Sequence, residues 1–285
     1  MKSGTTTLHE LLGEHPEVSM SEPKEPCHFV PSEVLKAEWP EMWRMEFWKD
    51  EASYLSVFRD KPHARFFGES STDYSKLPRI PGVAEAIHAY APEARIIYIM
   101  RDPVERTISH YWHFVEHRGE TRPLMRAIRE EPHYTEVSHY AMQLAPYLRL
   151  YGPRRVYALT FEELTRDPVK SVQATYRWLE IAADFVPMDC GQAHNVTPER
   201  IAQKRKGAIW LDRVRHSTLW GRAGPMLPGW FRQLGRGLLE KRVDRRSSDT
   251  REVIRYLQLL QQPQTEHLAH LLGRPFLEWK TLHGS

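Results

Sequence analysis

Cysteine is almost absent from this sequence: Cys27 and Cys190 are the only two in 285 residues. That excludes a disulfide framework and leaves no zinc-ligand set at a recognisable spacing. It also makes a reducing, cytoplasmic compartment the expectation, with the lumenal domain of an anchored enzyme as the alternative. No apolar run approaches the roughly 20 residues of a membrane span, and no signal-peptide apolar region opens the chain, so a soluble protein is expected. Repeats and low-complexity stretches are missing as well. Neither sign of charge dominates, because 40 Lys and Arg against 37 Asp and Glu leave +3. Such a balance argues against a nucleic-acid or other polyanion partner and for a local anion site.

What remains is an ordinary globular composition, 41% hydrophobic and 27% charged, in a chain long enough for one large α/β domain or two small ones. Residues 66–69, 94–100 and 156–160 read as buried parallel strands. Helical patterns separate them. Leu8, Leu11 and Leu12 share a face ahead of Pro16, and residues 83–90 precede the middle strand. Asp102-Pro103 reads as the N-cap and first turn of a helix carrying Ile108, Trp112 and Val115. Ser138 reads as the cap of another, with Tyr140, Leu144, Tyr147 and Leu148, stopped by Gly152-Pro153. This alternation predicts a parallel sheet covered on both faces. Past residue 182 the pattern turns basic and helical, with Trp210, Trp220 and Trp230 spread through it. The expectation is a single domain over 1–285, with 1–181 an α/β nucleotide-binding core and 182–285 a mainly helical cap; a short second lobe is the alternative.

Two segments suit anions. Lys2-Ser3-Gly4-Thr5-Thr6-Thr7 runs small residues straight into a helix. Such a turn offers backbone N–H groups and the positive helix end, with a lysine charge and hydroxyl donors beside them. It is not a Walker A loop, which needs lysine directly after its last glycine. Alone, an ordinary helix start with capping threonines fits it too. In the second segment Arg101 ends the middle strand, where open α/β sheets bind ligands, and Ser109 lies about two turns into the next helix. A guanidinium and a hydroxyl there suit a phosphate. The bland reading pairs Arg101 with Asp102 or Glu105 and turns Ser109 to solvent.

Together these segments resemble the sulfotransferase family, in its heparan-sulfate-type and bacterial branch. The loop at Lys2 to Thr6 looks like the family's 5′-phosphosulfate loop, and Arg101 with Ser109, eight residues on, looks like its 3′-phosphate site. Glu22-Pro23-Lys24-Glu25-Pro26-Cys27-His28-Phe29 is similar to the stretch that carries the catalytic glutamate. Gly68-Glu69-Ser70-Ser71-Thr72-Asp73-Tyr74 resembles the strand and loop lining the acceptor cleft. Phe161-Glu162-Glu163-Leu164 with Asp167-Pro168 is like a segment after a later strand. The likeness covers residues 2–179.

It implies a P-loop-like three-layer α/β/α fold, 3′-phosphoadenosine 5′-phosphosulfate (PAPS) as co-substrate, the 3′,5′-bisphosphate PAP as product, and no metal. Lys2 would neutralise charge on the bridging oxygen, while Ser3, Gly4, Thr5, Thr6 and Thr7 would hold the 5′-phosphate. Glu25 would take the acceptor's proton, with His28 as rival base. Lys24, Glu69, Ser70, Asp73 and Tyr74 would meet the acceptor. Arg205-Lys206-Gly207 resembles a segment that closes over the 3′-phosphate, and a solvated charge run explains it equally. Tyr140 could stack on a ligand ring, though its register with Leu144 suits a core.

Two features depart from the family. A buried strand feeds its phosphosulfate loop, whereas here the loop stands at Lys2, so the sheet's first strand is expected to be missing from the N-terminus, either lying upstream in a longer protein or replaced. Ser70 stands where heparan-sulfate-type members carry lysine, which leaves the acceptor open among small molecules, carbohydrates, lipids and carrier-bound chains. Two rival functions are a kinase or other phosphoryl transferase, which has no Walker A loop or magnesium set to support it, and a PAP-binding module without catalysis.

Overall fold

The computed structural model describes residues 2–59, 61–188, 200–204, 240–244 and 250–283. Cys190, Arg205, Lys206, Gly207, Trp210, Trp220 and Trp230 lie outside the described residues. In chain order the helices are α1 (Thr5–Glu14), α2 (Ser32–Glu38), α3 (Pro40–Arg44), α4 (Glu51–Leu55), α5 (Val83–Tyr90), α6 (Pro103–His117), α7 (Leu124–Glu130), α8 (His133–Glu136), α9 (Tyr140–Tyr151), α10 (Phe161–Arg166), α11 (Pro168–Leu179), α12 (Thr250–Leu272) and α13 (Lys280–His283). The strands are β1 (Val18–Met20), β2 (Phe66–Gly68), β3 (Ile96–Met100), β4 (Val156–Thr160), β5 (Arg200–Lys204) and β6 (Glu240–Asp244).

All three strands expected from apolar runs form. β3 and β4 pair in parallel from Ile96 opposite Val156 to Met100 opposite Thr160. β2 pairs in parallel with β1, Val18 opposite Phe66 and Met20 opposite Gly68. β1 escapes sequence reading because three residues with a central serine show no period. The parallel sheet is therefore present in two halves, β1–β2 and β3–β4, which are not hydrogen-bonded to each other among the described residues.

Side-chain alternation explains why both faces are covered. Ile97 and Ile99 pack into a core built by Leu8, Leu11 and Leu12 of α1 and Val172, Tyr176 and Leu179 of α11. Ile96 and Tyr98 point the other way, into a larger core of α5, α6, α9 and α12 residues that includes Trp112, Leu144 and Leu257. Successive residues of a strand face opposite sides, so one short run of five apolar residues serves two cores.

One expectation is corrected. Ser138 does not cap α9; His139 holds that position without a side-chain bond. Ser138 instead accepts from Arg106 Nε at 2.5 Å and donates to the Pro103 carbonyl at 3.1 Å, because the buried guanidinium competes for its hydroxyl. Past residue 182 the described residues include, beside helices, an antiparallel pair, β5 with β6, Arg200 opposite Asp244. α12 does follow the helical expectation, burying Val253, Leu257, Gln261, Thr265 and Leu268 at helical spacing.

Candidate active site

Three chain segments converge at the C-terminal ends of the strands, where loops rather than ladder positions carry the side chains. The first is the turn before α1. Gly4 is its N-cap at φ 84°, a left-handed conformation that glycine adopts without a Cβ penalty. A Cβ there would stand 2.7 Å from Cδ2 of Phe161, so the loop lies flat on that ring. Ser3 is buried, Thr5 opens the helix, and the Lys2 charge bears on His113 of α6.

The second segment follows β3. Asp102 caps α6, accepting from Val104 N at 3.0 Å and Glu105 N at 3.2 Å, as its position before Pro103 predicts. The Arg101 guanidinium lies 5.0 Å over the same Phe161 ring and pairs with Glu105 at 2.7 Å. Half of the bland reading therefore holds, while the other half does not: Ser109 is buried, not turned to solvent. Arg101 Nε is buried with no partner among the described residues. Tyr140 ties the two loops together. Its hydroxyl donates to the Arg101 carbonyl at 2.7 Å, accepts from Arg101 N at 3.2 Å, and is also reached by the Ser3 side chain. Its ring sits in the core, as its register suggests, and only its polar tip works at the site.

The third segment combines residues 22–29 with the loop after β2. Glu25 Oε1 accepts from Lys24 Nζ at 2.7 Å, and Oε2 accepts from Thr72 Oγ1 at 2.9 Å and Thr72 N at 3.3 Å. Lys24 Nζ also reaches the Ser70 carbonyl at 3.2 Å and Thr5 Oγ1 at 3.4 Å. Burial pushes the Glu25 carboxyl up, but the Lys24 ammonium and these hydrogen bonds outweigh it and hold the group below its ordinary value. One short hydrogen-bonded chain thus links Glu25 to the start of α1.

His28 stands apart from this chain. Its Nδ1 bonds the Phe47 carbonyl at 2.6 Å and its ring stacks on Tyr54 with centroids 4.2 Å apart. Asp73 is buried and bound to Lys76 at 2.5 Å and to Trp39 Nε1 at 3.0 Å, away from Glu25's chain. Glu69 is buried beneath Glu25, accepting from Ser71 at 2.5 Å, Tyr74 at 2.7 Å and Tyr54 at 3.0 Å. Burial raises its carboxyl above the ordinary range against those bonds, and the Glu25 charge adds to the rise. Thr6 lines a polar groove with His9 and Lys24.

Sequence reading missed three residues that bond to these segments. His9, one turn after Thr5 on α1, bonds Ser70 Oγ at 3.0 Å and is held near pKa 4 by burial and the Lys24 charge. Its spacing of four residues from Thr5 was the available signal. Thr281 binds Asp102 through its backbone N at 3.0 Å and through its hydroxyl, and Trp279 Nε1 meets Glu162 at 3.2 Å. No local pattern announces contacts across that separation.

Among the described residues no cluster of His, Cys, Asp and Glu could hold a metal, and no helix is long and apolar enough to cross a membrane. Against known proteins, the membrane-associated sulfotransferase kil1 of Dictyostelium discoideum is 29% identical over 114 residues, which are 40% of this chain and 21% of that protein. The chain thus spans about a fifth of the length of this curated relative. A crystal structure of a sulfotransferase from Alicyclobacillus acidocaldarius superposes with a TM-score of 0.65 at 23% identity, over 98% of this chain and 94% of that one. A sulfotransferase domain from the curacin biosynthetic pathway gives a TM-score of 0.45 at 16% identity, over 69% and 77%. The sulfotransferase family model matches residues 1–184, well over half of the sequence, and the chain belongs to that family.

Proposed function

We propose that this protein transfers a sulfuryl group from PAPS to an acceptor hydroxyl or amine, with Glu25 as general base. The observation that carries the reading is the Lys24 bridge. One ammonium lies 2.7 Å from Glu25 Oε1 and 3.4 Å from Thr5 Oγ1, so the proposed base stands beside the loop proposed for the phosphosulfate.

The residues present suit such a donor. The N-terminus of α1 offers N–H groups at Thr5 and Thr6 to the 5′-phosphate, with Ser3, Gly4 and Thr7 completing the turn and Lys2 supplying a positive charge. The buried Arg101 Nε, lacking a partner among the described residues, suits the 3′-phosphate, with Ser109 on α6, the helix that follows. In the proposed step the acceptor's oxygen or nitrogen attacks sulfur and the sulfur–oxygen bond to the donor phosphate breaks. The bonding pair leaves with PAP and the acceptor's proton passes to Glu25. Lys24, Ser70, Glu69 and Tyr74 shape the acceptor side; Asp73 contributes by anchoring that loop. A cytoplasmic compartment belongs to the same reading, supported by the scarcity of cysteine.

Radiolabelled PAPS offered with a panel of small-molecule, carbohydrate, lipid and carrier-bound acceptors tests this. Transfer of label to one acceptor class, lost in Glu25→Gln with PAP binding retained, is expected. Tight PAP binding with no transfer to any acceptor favours a binding module, and phosphate transfer from ATP favours a kinase.

A further inference from the structure

We propose that His9 is a positioning residue for the Lys24–Glu25 pair, locking together Ser21 and Ser70, the two residues that hold Lys24 in place. Its effect on turnover rests on the reading of Glu25 as general base, whereas its effect on the pair itself does not.

Lys24 is clamped at both ends. Its carbonyl accepts from Ser70 N at 3.0 Å and from Ser21 Oγ at 3.3 Å, while its ammonium donates to the Ser70 carbonyl at 3.2 Å. The same ammonium reaches Glu25 at 2.7 Å and Thr5 at 3.4 Å. The two serines come from different parts of the chain: Ser21 follows β1 and donates its N–H to the Gly68 carbonyl of β2 at 2.8 Å, and Ser70 lies two residues beyond that glycine. His9 reaches both of them from α1. Its Nδ1 bonds Ser70 Oγ at 3.0 Å, and the ring also meets the Ser21 main chain.

Neutral imidazole carries one donor and one acceptor, enough for two such partners, and a second positive charge beside Lys24 is repelled. Thr5 and His9 stand four residues apart, on one face of α1. The helix therefore touches the Lys24 clamp twice, at the ammonium through Thr5 and at the serines through His9. That arrangement ties the loop proposed for the phosphosulfate to the loop carrying the proposed base. A packing role alone would call for an apolar side chain, and Leu8, Leu11 and Leu12 already fill it on the buried side of α1. His9 is half-buried, on the polar groove it shares with Thr6 and Lys24. Contacts that orient a reacting group act through geometry, where a displacement of about 1 Å can cost ~100-fold in rate.

The test compares the parent chain with His9→Phe, which keeps a ring without its nitrogens, and with His9→Asn, which keeps an amide near the Nδ1 position. Ser70→Ala and the double variant His9→Phe/Ser70→Ala complete the set. Glu25 is titrated by NMR of its carboxyl carbon without donor or acceptor, circular dichroism reports the fold, and kcat and KM are measured with PAPS and the acceptor that the labelled panel identifies. In His9→Phe the clamp on Lys24 loosens, burial prevails, and Glu25 should titrate at higher pH than in the parent. Its kcat should fall about 10- to 100-fold. KM for PAPS should stay within about threefold. His9→Asn should restore part of both losses, and Ser70→Ala should add little to His9→Phe, because the two residues form one contact. An unmoved Glu25 titration in folded His9→Phe overturns the proposal, as does an absence of recovery in His9→Asn or a Ser70→Ala effect that simply adds. Should His9→Phe fail to fold, Ser70→Ala removes the same bond and must shift the titration alone. Turnover surviving in Glu25→Gln while His9→Phe still shifts the titration removes Glu25 as base and leaves the hold of His9 on the pair standing.

Discussion

Lys24 and Glu25, neighbours in sequence, form an ion pair at 2.7 Å that holds the carboxylate charged despite its burial. For a general base the charged form is the working one, so activity falls as pH drops through its pKa. Because that pKa is depressed, the acid limb of kcat/KM is expected below the ordinary carboxylate value of 4.5. In Lys24→Met burial acts with less to oppose it, the pKa rises, and the acid limb moves up. A pH–rate profile on both forms decides this, and an unmoved limb counts against Glu25 as the base.

Glu25→Gln itself should lower kcat by about 100-fold or more, the usual worth of a positioned base. PAP affinity, measured by calorimetry, should stay near that of the parent, since the Gln amide is close to isosteric.

His28→Ala separates the rival bases. Losing the bond to Phe47 and the stack on Tyr54 should cost about 1–2 kcal/mol of stability, read by denaturant unfolding. Turnover at a temperature where the variant stays folded should remain within about threefold of the parent. A collapse of turnover in a folded variant would hand the base role to His28.

At Gly4 an alanine meets two penalties. The left-handed backbone costs about 1–2 kcal/mol, and the Phe161 ring must move away from the new methyl. Gly4→Ala should melt several degrees lower and bind PAP more weakly, the second effect arising because Phe161 also supports Arg101.

Tyr140→Phe keeps the core ring and removes only the hydroxyl that joins Ser3 to both backbone groups of Arg101. A loss of about 1 kcal/mol, or about fivefold in Kd for PAP, is expected. An unchanged Kd would mean that the two loops are positioned independently.

Much of the local structure around the candidate site was legible because its motifs are local. The N-cap at Asp102, the turn at Gly4 and the strand end at Arg101 each depend on neighbours within a few residues, and the family likeness supplies their order. Placing Lys24 across from Thr5 was not legible, since the two stand 19 positions apart with a strand between them. Ser138 was misread for a related reason: its hydroxyl suits a cap, but the buried Arg106 of α6 claims it. β1 was too short to show a period, and β5 and β6 lie in a stretch whose basic composition masks strand character.

The contact between Asp102 and Thr281 joins residues 179 apart. Closing a loop of that size costs chain entropy that local helices never face, and non-local contacts of this kind slow folding. The corner holding Arg101 is therefore finished only when the C-terminal segment docks. Refolding followed by PAP binding should lag refolding followed by helix content, making ligand capture a timer for the last step of assembly.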